Sequence, residues 1–277
     1  MAYGCSTDIL NVGEPMLVVD GFIEDGGFPL VMVTTTLPVS EEYRSLDDVR
    51  DCIARSAKVT VSDGENEVIL TGMVNRDYFP PYVYTTGNLR GRAGKNYSLK
   101  VEYHGMTATA VTTIPESVPL ERLVPSRSDV ADTLYSLEAV FTDNPRPGDH
   151  YRLFVYREGI DSTYRNAFLG VMDDSVIGNP APGDESLSGR PAVMSVYPPE
   201  PLKWATYTPY FVSGTRVHVK LCTMDDAAFA YWSDFADVSS FSRNVIFTSN
   251  HNISSNISGG LGIWAGYGAS TMVVDIP

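Results

Sequence analysis

The residues closest to a recognisable chemistry are glycines. In the run SNISGGLGIWAGYGAS, residues 255–270, Gly260, Gly262 and Ala265 stand in the spacing of a dinucleotide-binding loop. Such a loop works because its glycines let a strand turn sharply into a helix whose N-terminal amides hold pyrophosphate. Here Ala265 is followed by Gly266, Gly268 and the β-branched run TMVV, with no place for the helix, the second strand and an acidic residue about 20 positions on. No nucleotide cofactor is expected. The run reads instead as a loop entering a last strand, with Ile263, Trp264 and Tyr267 packed inside and glycines permitting close backbone approach or positive φ.

The other signatures of catalysis are missing from the sequence. There is no GxSxG to strain a nucleophilic serine, no HExxH to set two imidazoles one helical turn apart, and no GxxxxGK[ST] to cradle phosphate. The expectation is a protein that is not an enzyme. Dispersed carboxylates need only spatial proximity to form a glycosidase pair, so a hydrolase stays open as a third class behind binding and adhesion. Cys5, Cys52, Cys222 and the four histidines show no zinc-ligand spacing. Asp173, Asp174, Asp184 and Glu185 lie in a loop-like stretch without the DxDxDG pattern of a calcium loop, so solvated acids are the default and no metal is expected.

Twenty basic residues against 34 acidic ones give a net charge of −14. A field of that sign repels phosphate backbones and anionic lipid headgroups, which excludes nucleic acid as a partner. With 43% hydrophobic, 19% charged and 11% aromatic residues the chain has an ordinary globular composition. No run of 18 or more predominantly apolar residues offers a spanning helix, so a membrane is met only through an anchor.

Cys5 is the candidate for that anchor. In MAYGCSTDIL it follows small Ala2 and Gly4 and precedes polar Ser6, Thr7 and Asp8, as in a bacterial lipoprotein processing site from which the signal peptide has been removed. The competing account is a chance cysteine in a frayed terminus.

The elements that must position any site are mainly strands. In NYSLKVEY, Tyr97, Leu99, Val101 and Tyr103 face one way, and MTATAVTTI follows across His104 and Gly105 as an antiparallel hairpin with a Thr-rich exposed face. MLVVDGFI, LVMVTTT, AKVTVSDG and EVILTGM add strands. Pro115, Pro119 and Pro125 in IPESVPLERLVPS read as an extended linker and a domain boundary. SLEAVFTD, HYRLFVYRE and TRVHVKLCTM are strand-like beyond it. The expected organisation is a tether over 1–13, an immunoglobulin- or fibronectin-like β-sandwich over 14–115, and a second β-rich sandwich domain over 116–277.

One short helix is expected near 224–239, capped by Thr223, with Ala228, Tyr231, Trp232, Phe235 and Val238 on its apolar stripe. The stripe reads as core, with sugar stacking by Tyr231 or Trp232 as the alternative. Two loop regions are candidate binding surfaces: the stretch 170–192, and YPPEPLKWATYTPYF, where Trp204, Tyr207, Tyr210 and Phe211 suit glycan or peptide recognition or else cap the sandwich core.

Cys5, EPMLVVDGFIEDG, AKVTVSDG, GRAGKNYSLKVEYHGMTATAVTTIP and SSNISGGLGIWAGYGAS, in that order, resemble a family of Bacteroidetes lipoproteins of unknown function, commonly encoded beside TonB-dependent outer-membrane receptors. The resemblance implies that Cys5 is acylated and that the chain is exported and tethered to the outer membrane, on the cell surface or the periplasmic face. It supplies no catalytic residues. Cys52 and Cys222 would then remain, either paired across the two domains or as free thiols. The function it implies is a non-enzymatic binding or accessory component of TonB-dependent nutrient uptake, with such a receptor and a glycan or peptide ligand as partners. An adhesin or structural surface protein is the alternative.

Overall fold

Alternating apolar residues turn most of the chain into strands, and their pairing joins the two ends of the sequence. The computed structural model describes residues 14–36, 50–145, 148–173, 189–199, 207–241 and 253–277. The strands of its first half are β1 (Leu17–Glu24), β2 (Leu30–Thr35), β3 (Lys58–Ser62), β4 (Glu67–Ile69), β5 (Thr71–Val74), β6 (Tyr82–Thr85), β7 (Asn96–Tyr103) and β8 (Met106–Thr113). The second half holds β9 (Leu120–Arg127), β10 (Leu134–Thr142), β11 (His150–Arg157), β12 (Arg165–Asp173), β13 (Pro191–Val196), β14 (Phe211–Val212), β15 (Arg216–Met224), the helix α1 (Asp226–Phe241) and β16 (Gly260–Asp275). The protein is mainly β, built from three sheets in a sandwich-rich arrangement.

The largest sheet has eight strands in the order β12-β11-β15-β16-β1-β2-β6-β5. Its spine is the 16-residue β16, which pairs in parallel with β1 over Gly260–Tyr267 and antiparallel with β15 over Gly268–Asp275. Two four-stranded sheets, β4-β3-β7-β8 and one in which β10 carries β9, β13 and β14, complete the structure.

Both main cores lie on one face of the long sheet. Leu17, Val19 and Ile23 of β1 and Trp264 of β16 enter the first core, with Val59, Leu99 and Val101 of the sheet opposite. Val217, Val219 and Leu221 of β15 and Leu153 of β11 enter the second, with Leu137 and Phe141 of β10. Register confirms the shared face: Gly21 is opposite Trp264, and Val219 opposite Met272, which packs on the second core.

The glycines of β16 make that arrangement possible. Gly262 sits at φ 107°, and a Cβ there would run into the Val19 carbonyl oxygen. A Cβ on Gly266 would meet the Thr113 carbonyl, because β8 passes against the spine at backbone contact. Where no strand flanks β16, side chains satisfy its backbone. Asn256 accepts from the Trp264 N–H (2.9 Å) and donates to its carbonyl (2.8 Å), and Thr112 Oγ1 accepts from the Gly266 N–H (2.8 Å). Ile263, Trp264 and Tyr267 are all buried, as their sequence context implies.

Several expectations need correction. The linker IPESVPLERLVPS is extended, but from Leu120 it is the edge strand β9, with Pro125 opposite Leu137. An edge strand tolerates a residue with no N–H to donate. The supposed loop 170–192 has strand at both ends, since β12 runs through Asp173 and β13 begins at Pro191. Thr223 is not the cap of α1. It ends inside β15 with its hydroxyl bonded to the Glu116 carbonyl (2.7 Å), and Asp225 caps the helix by accepting from the Ala228 N–H (2.9 Å). The β7–β8 hairpin turns at His104 and Gly105 with φ 46° and 82°, the primed turn whose twist suits a two-residue connection.

Candidate functional site

A strand that sends odd residues to one face sends even ones to the other. Opposite the cores, β1 therefore presents Asp20, Phe22 and Glu24, β11 presents Arg152 and Phe154, and β15 presents Lys220, while β16 adds Tyr267. Helix α1 covers part of this face, with Ala228 fully buried beside Cys222, Met224, Ile263 and Ala265 in a third cluster. Asp225 fixes the start of the helix to β8 through a 2.7 Å bond from Thr112 Oγ1.

Beyond Trp232 and Phe235 of α1 the face opens into a cavity of about 1160 Å³. Its walls come from the two ends of the sheet. One is the segment from Ile160 through β12, and the other is Arg76–Pro81, which joins β5 to β6. Ligand pockets commonly combine apolar and aromatic walls with a few placed polar groups. Here Phe22, Phe154, Tyr164, Phe168, Trp232 and Tyr267 are among the rings, and Asp20, Glu24, Arg152 and Lys220 are the charges of the floor.

Two pairs organise those charges. Lys220 Nζ donates to Glu24 Oε1 at 2.6 Å and lies 4.4 Å over the Tyr164 ring. Burial alone would push the Lys220 ammonium down, but the Glu24 carboxylate prevails and holds it above its ordinary range. Arg152 is 2% exposed, with its Cζ 3.1 Å from the Trp232 ring centre and 4.7 Å from that of Phe154. Burial pushes Arg152 down, against the Tyr267 hydroxyl and the Asp20 charge, and its Nη1 has no hydrogen-bond partner among the described residues. Asp20 is open to the cavity but otherwise surrounded by protein. That enclosure raises its pKa, with Arg152 working the other way. Tyr267 accepts from Trp232 Nε1 (2.9 Å), and burial pushes its phenol up to about 12, so it stays protonated.

The sequence-derived candidates fall elsewhere. Cys5 and Trp204 lie outside the described residues, as do Asp174, Asp184, Glu185 and the Asp173 side chain. Phe211 is buried in the second core, where its ring is out of a ligand's reach. Tyr207 packs edge-on against Phe168, 5.3 Å between ring centres, and so stands behind the cavity wall. Tyr210 is half-buried, its N–H directed to Thr208 Oγ1 at 3.4 Å. Cys52 and Cys222 are both free, and burial pushes the Cys222 thiol far up, which makes it inert. Of the stripe on α1, Trp232 does reach the cavity. Asp20, Glu24, Arg152 and Lys220 carry no sequence motif; Asp20, Arg152 and Lys220 are charges inside apolar strands, and Glu24 closes β1.

The chain belongs to the family described as Domain of unknown function (DUF4249), which it matches over residues 6–272. No curated protein matches it significantly.

Proposed function

We propose that this protein is a non-enzymatic binding lipoprotein of the outer membrane that captures a solute for a TonB-dependent receptor. The observation that carries the reading is the 1160 Å³ cavity, which joins aromatic walls to charges set at the floor. Two of its four carboxylates are engaged by bases, which favours binding over hydrolysis. Glu24 is tied to Lys220 and Asp161 to Arg157. Asp20 and Glu24 stand four residues apart on one strand, about 13 Å, against the roughly 5–9.5 Å of a glycosidase pair. Acylation of Cys5 supplies the tether, and two or more acyl chains hold where one is marginal.

The test is affinity capture of the tagged, full-length protein from native membranes, with mass spectrometry of the protein, its Cys5 and whatever it retains. Acylated Cys5, a co-captured TonB-dependent receptor and a retained small molecule are expected. Recovery of neither receptor nor small molecule, with normal growth but lost adhesion in a deletion strain, would transfer the protein to the adhesins.

A further inference from the structure

The cavity sorts charge differently from the rest of the chain. Arg50, Arg76, Arg152, Arg165 and Lys220 line it against four acids, a net of +1, while the remaining 15 bases and 30 acids carry −15. Two of the four acids are engaged. Glu24 holds Lys220, and Asp161 accepts from Arg157 Nε and Nη2 at 2.8 and 3.0 Å, with Arg165 a further 3.8 Å away. An anion entering from solvent therefore leaves a repelling field for a cavity whose lining carries more bases than acids.

Arg152 is where that anion would be held. Its guanidinium presents five N–H donors in a plane, and a buried, charged donor without a partner is costly. Trp232 and Phe154 pack against the guanidinium, and its Nη1 is the buried donor that has no partner among the described residues. A carboxylate suits that donor, because a hydrogen bond between two charged groups is roughly twice as strong as a neutral one. Beside it, Phe22, Phe154 and Tyr164 offer apolar surface to the body of the same molecule.

We propose that the cavity binds an organic carboxylate on an apolar or aromatic body, its carboxylate on Arg152 and its body against Phe22, Phe154 and Tyr164. This rests on the reading of the protein as a solute-binding protein. Asp20, near Arg152 and raised by the protein around it although open to the cavity, strengthens the preference as it takes up a proton, because the floor then carries one negative charge fewer.

Calorimetric titration of the full chain with N-acetyl-L-phenylalanine and N-acetyl-L-leucine, their primary amides, and neutral malto-oligosaccharides tests the assignment. The acids are expected to bind about 10- to 100-fold more tightly than the amides, and Arg152→Gln should erase the difference. Arg76 is exposed at the rim, so Arg76→Ala keeps the fold and decides the matter if the buried substitution does not fold. It should weaken the acids several-fold and flatten their salt dependence. Amides that bind as well as acids, or acid preference unchanged in both variants, would overturn the proposal. Binding of oligosaccharides alone removes the anion assignment and leaves solute capture standing. Silence from acids, amides and oligosaccharides removes both.

Discussion

The two faces of the eight-stranded sheet are made by the same strands and do opposite things. On one, Leu17, Val19, Ile23, Trp264 and Leu221 are fully buried under two smaller sheets. On the other, residues one position along carry Asp20, Glu24, Arg152 and Lys220 beneath a single helix and a cavity. Alternation lets the first face supply cohesion, so the second can hold charged groups, including Arg152, whose burial is costly. Stability and binding should then separate by parity along each strand, and substitutions can break or sharpen that division.

The largest effect belongs to the packed face. Gly262→Ala places a methyl against the Val19 carbonyl at a backbone angle side chains rarely adopt. It should cost more than about 4 kcal/mol, seen as loss of soluble folded protein or a collapse of the thermal midpoint. Trp264→Ala removes the largest buried ring of the first core and its 2.9 Å bond to the Tyr97 carbonyl. A loss of about 3–5 kcal/mol in urea unfolding is expected, with binding per folded molecule unchanged.

On the cavity face the effects on stability are smaller. Glu24→Gln leaves Lys220 without its anion, and since both groups touch the cavity the cost should be about 1–3 kcal/mol in the same unfolding measurement. Asp20→Asn reverses the sign. A carboxyl whose folded pKa is raised contributes stability that is complete below its unfolded value near 4 and is lost as pH rises through the folded value. At pH 7 the variant should therefore melt above the wild type, and the advantage should vanish on acidification toward pH 4. An advantage that grew on acidification would show that burial does not raise Asp20.

Local signals made much of the packed face legible. His104 and Gly105 between alternating runs announce the β7–β8 hairpin, and NYSLKVEY declares its buried set, Tyr97, Leu99 and Val101, by period two. The parallel pairing of β1 with β16 was not legible, because it joins residues more than 200 positions apart and leaves no trace in either segment. The helix start was misplaced because β15 continues through Met224, so Asp225, not Thr223, meets the first turn. The cavity was missed for a related reason. Asp20 and Lys220 are ordinary residues for the outer side of a half-exposed strand, and the helix, the segment 160–171 and the loop 76–81 that help enclose them are distant in sequence from one or both. Trp232 was visible as part of an apolar stripe, whose alternation with acids says nothing about the guanidinium it covers.

The central claim is that ligands meet the charged face and leave the packed face alone. Two indoles report on the two faces separately: Trp232 Nε1 donates to Tyr267 over the cavity, and Trp264 Nε1 donates to the Tyr97 carbonyl inside the first core. In nitrogen-15 indole spectra, titration with the tightest probe among the acids, amides and oligosaccharides should move the Trp232 resonance and leave that of Trp264 in place. A Trp232 signal unmoved at saturation, or a shift confined to Trp264, would contradict the account.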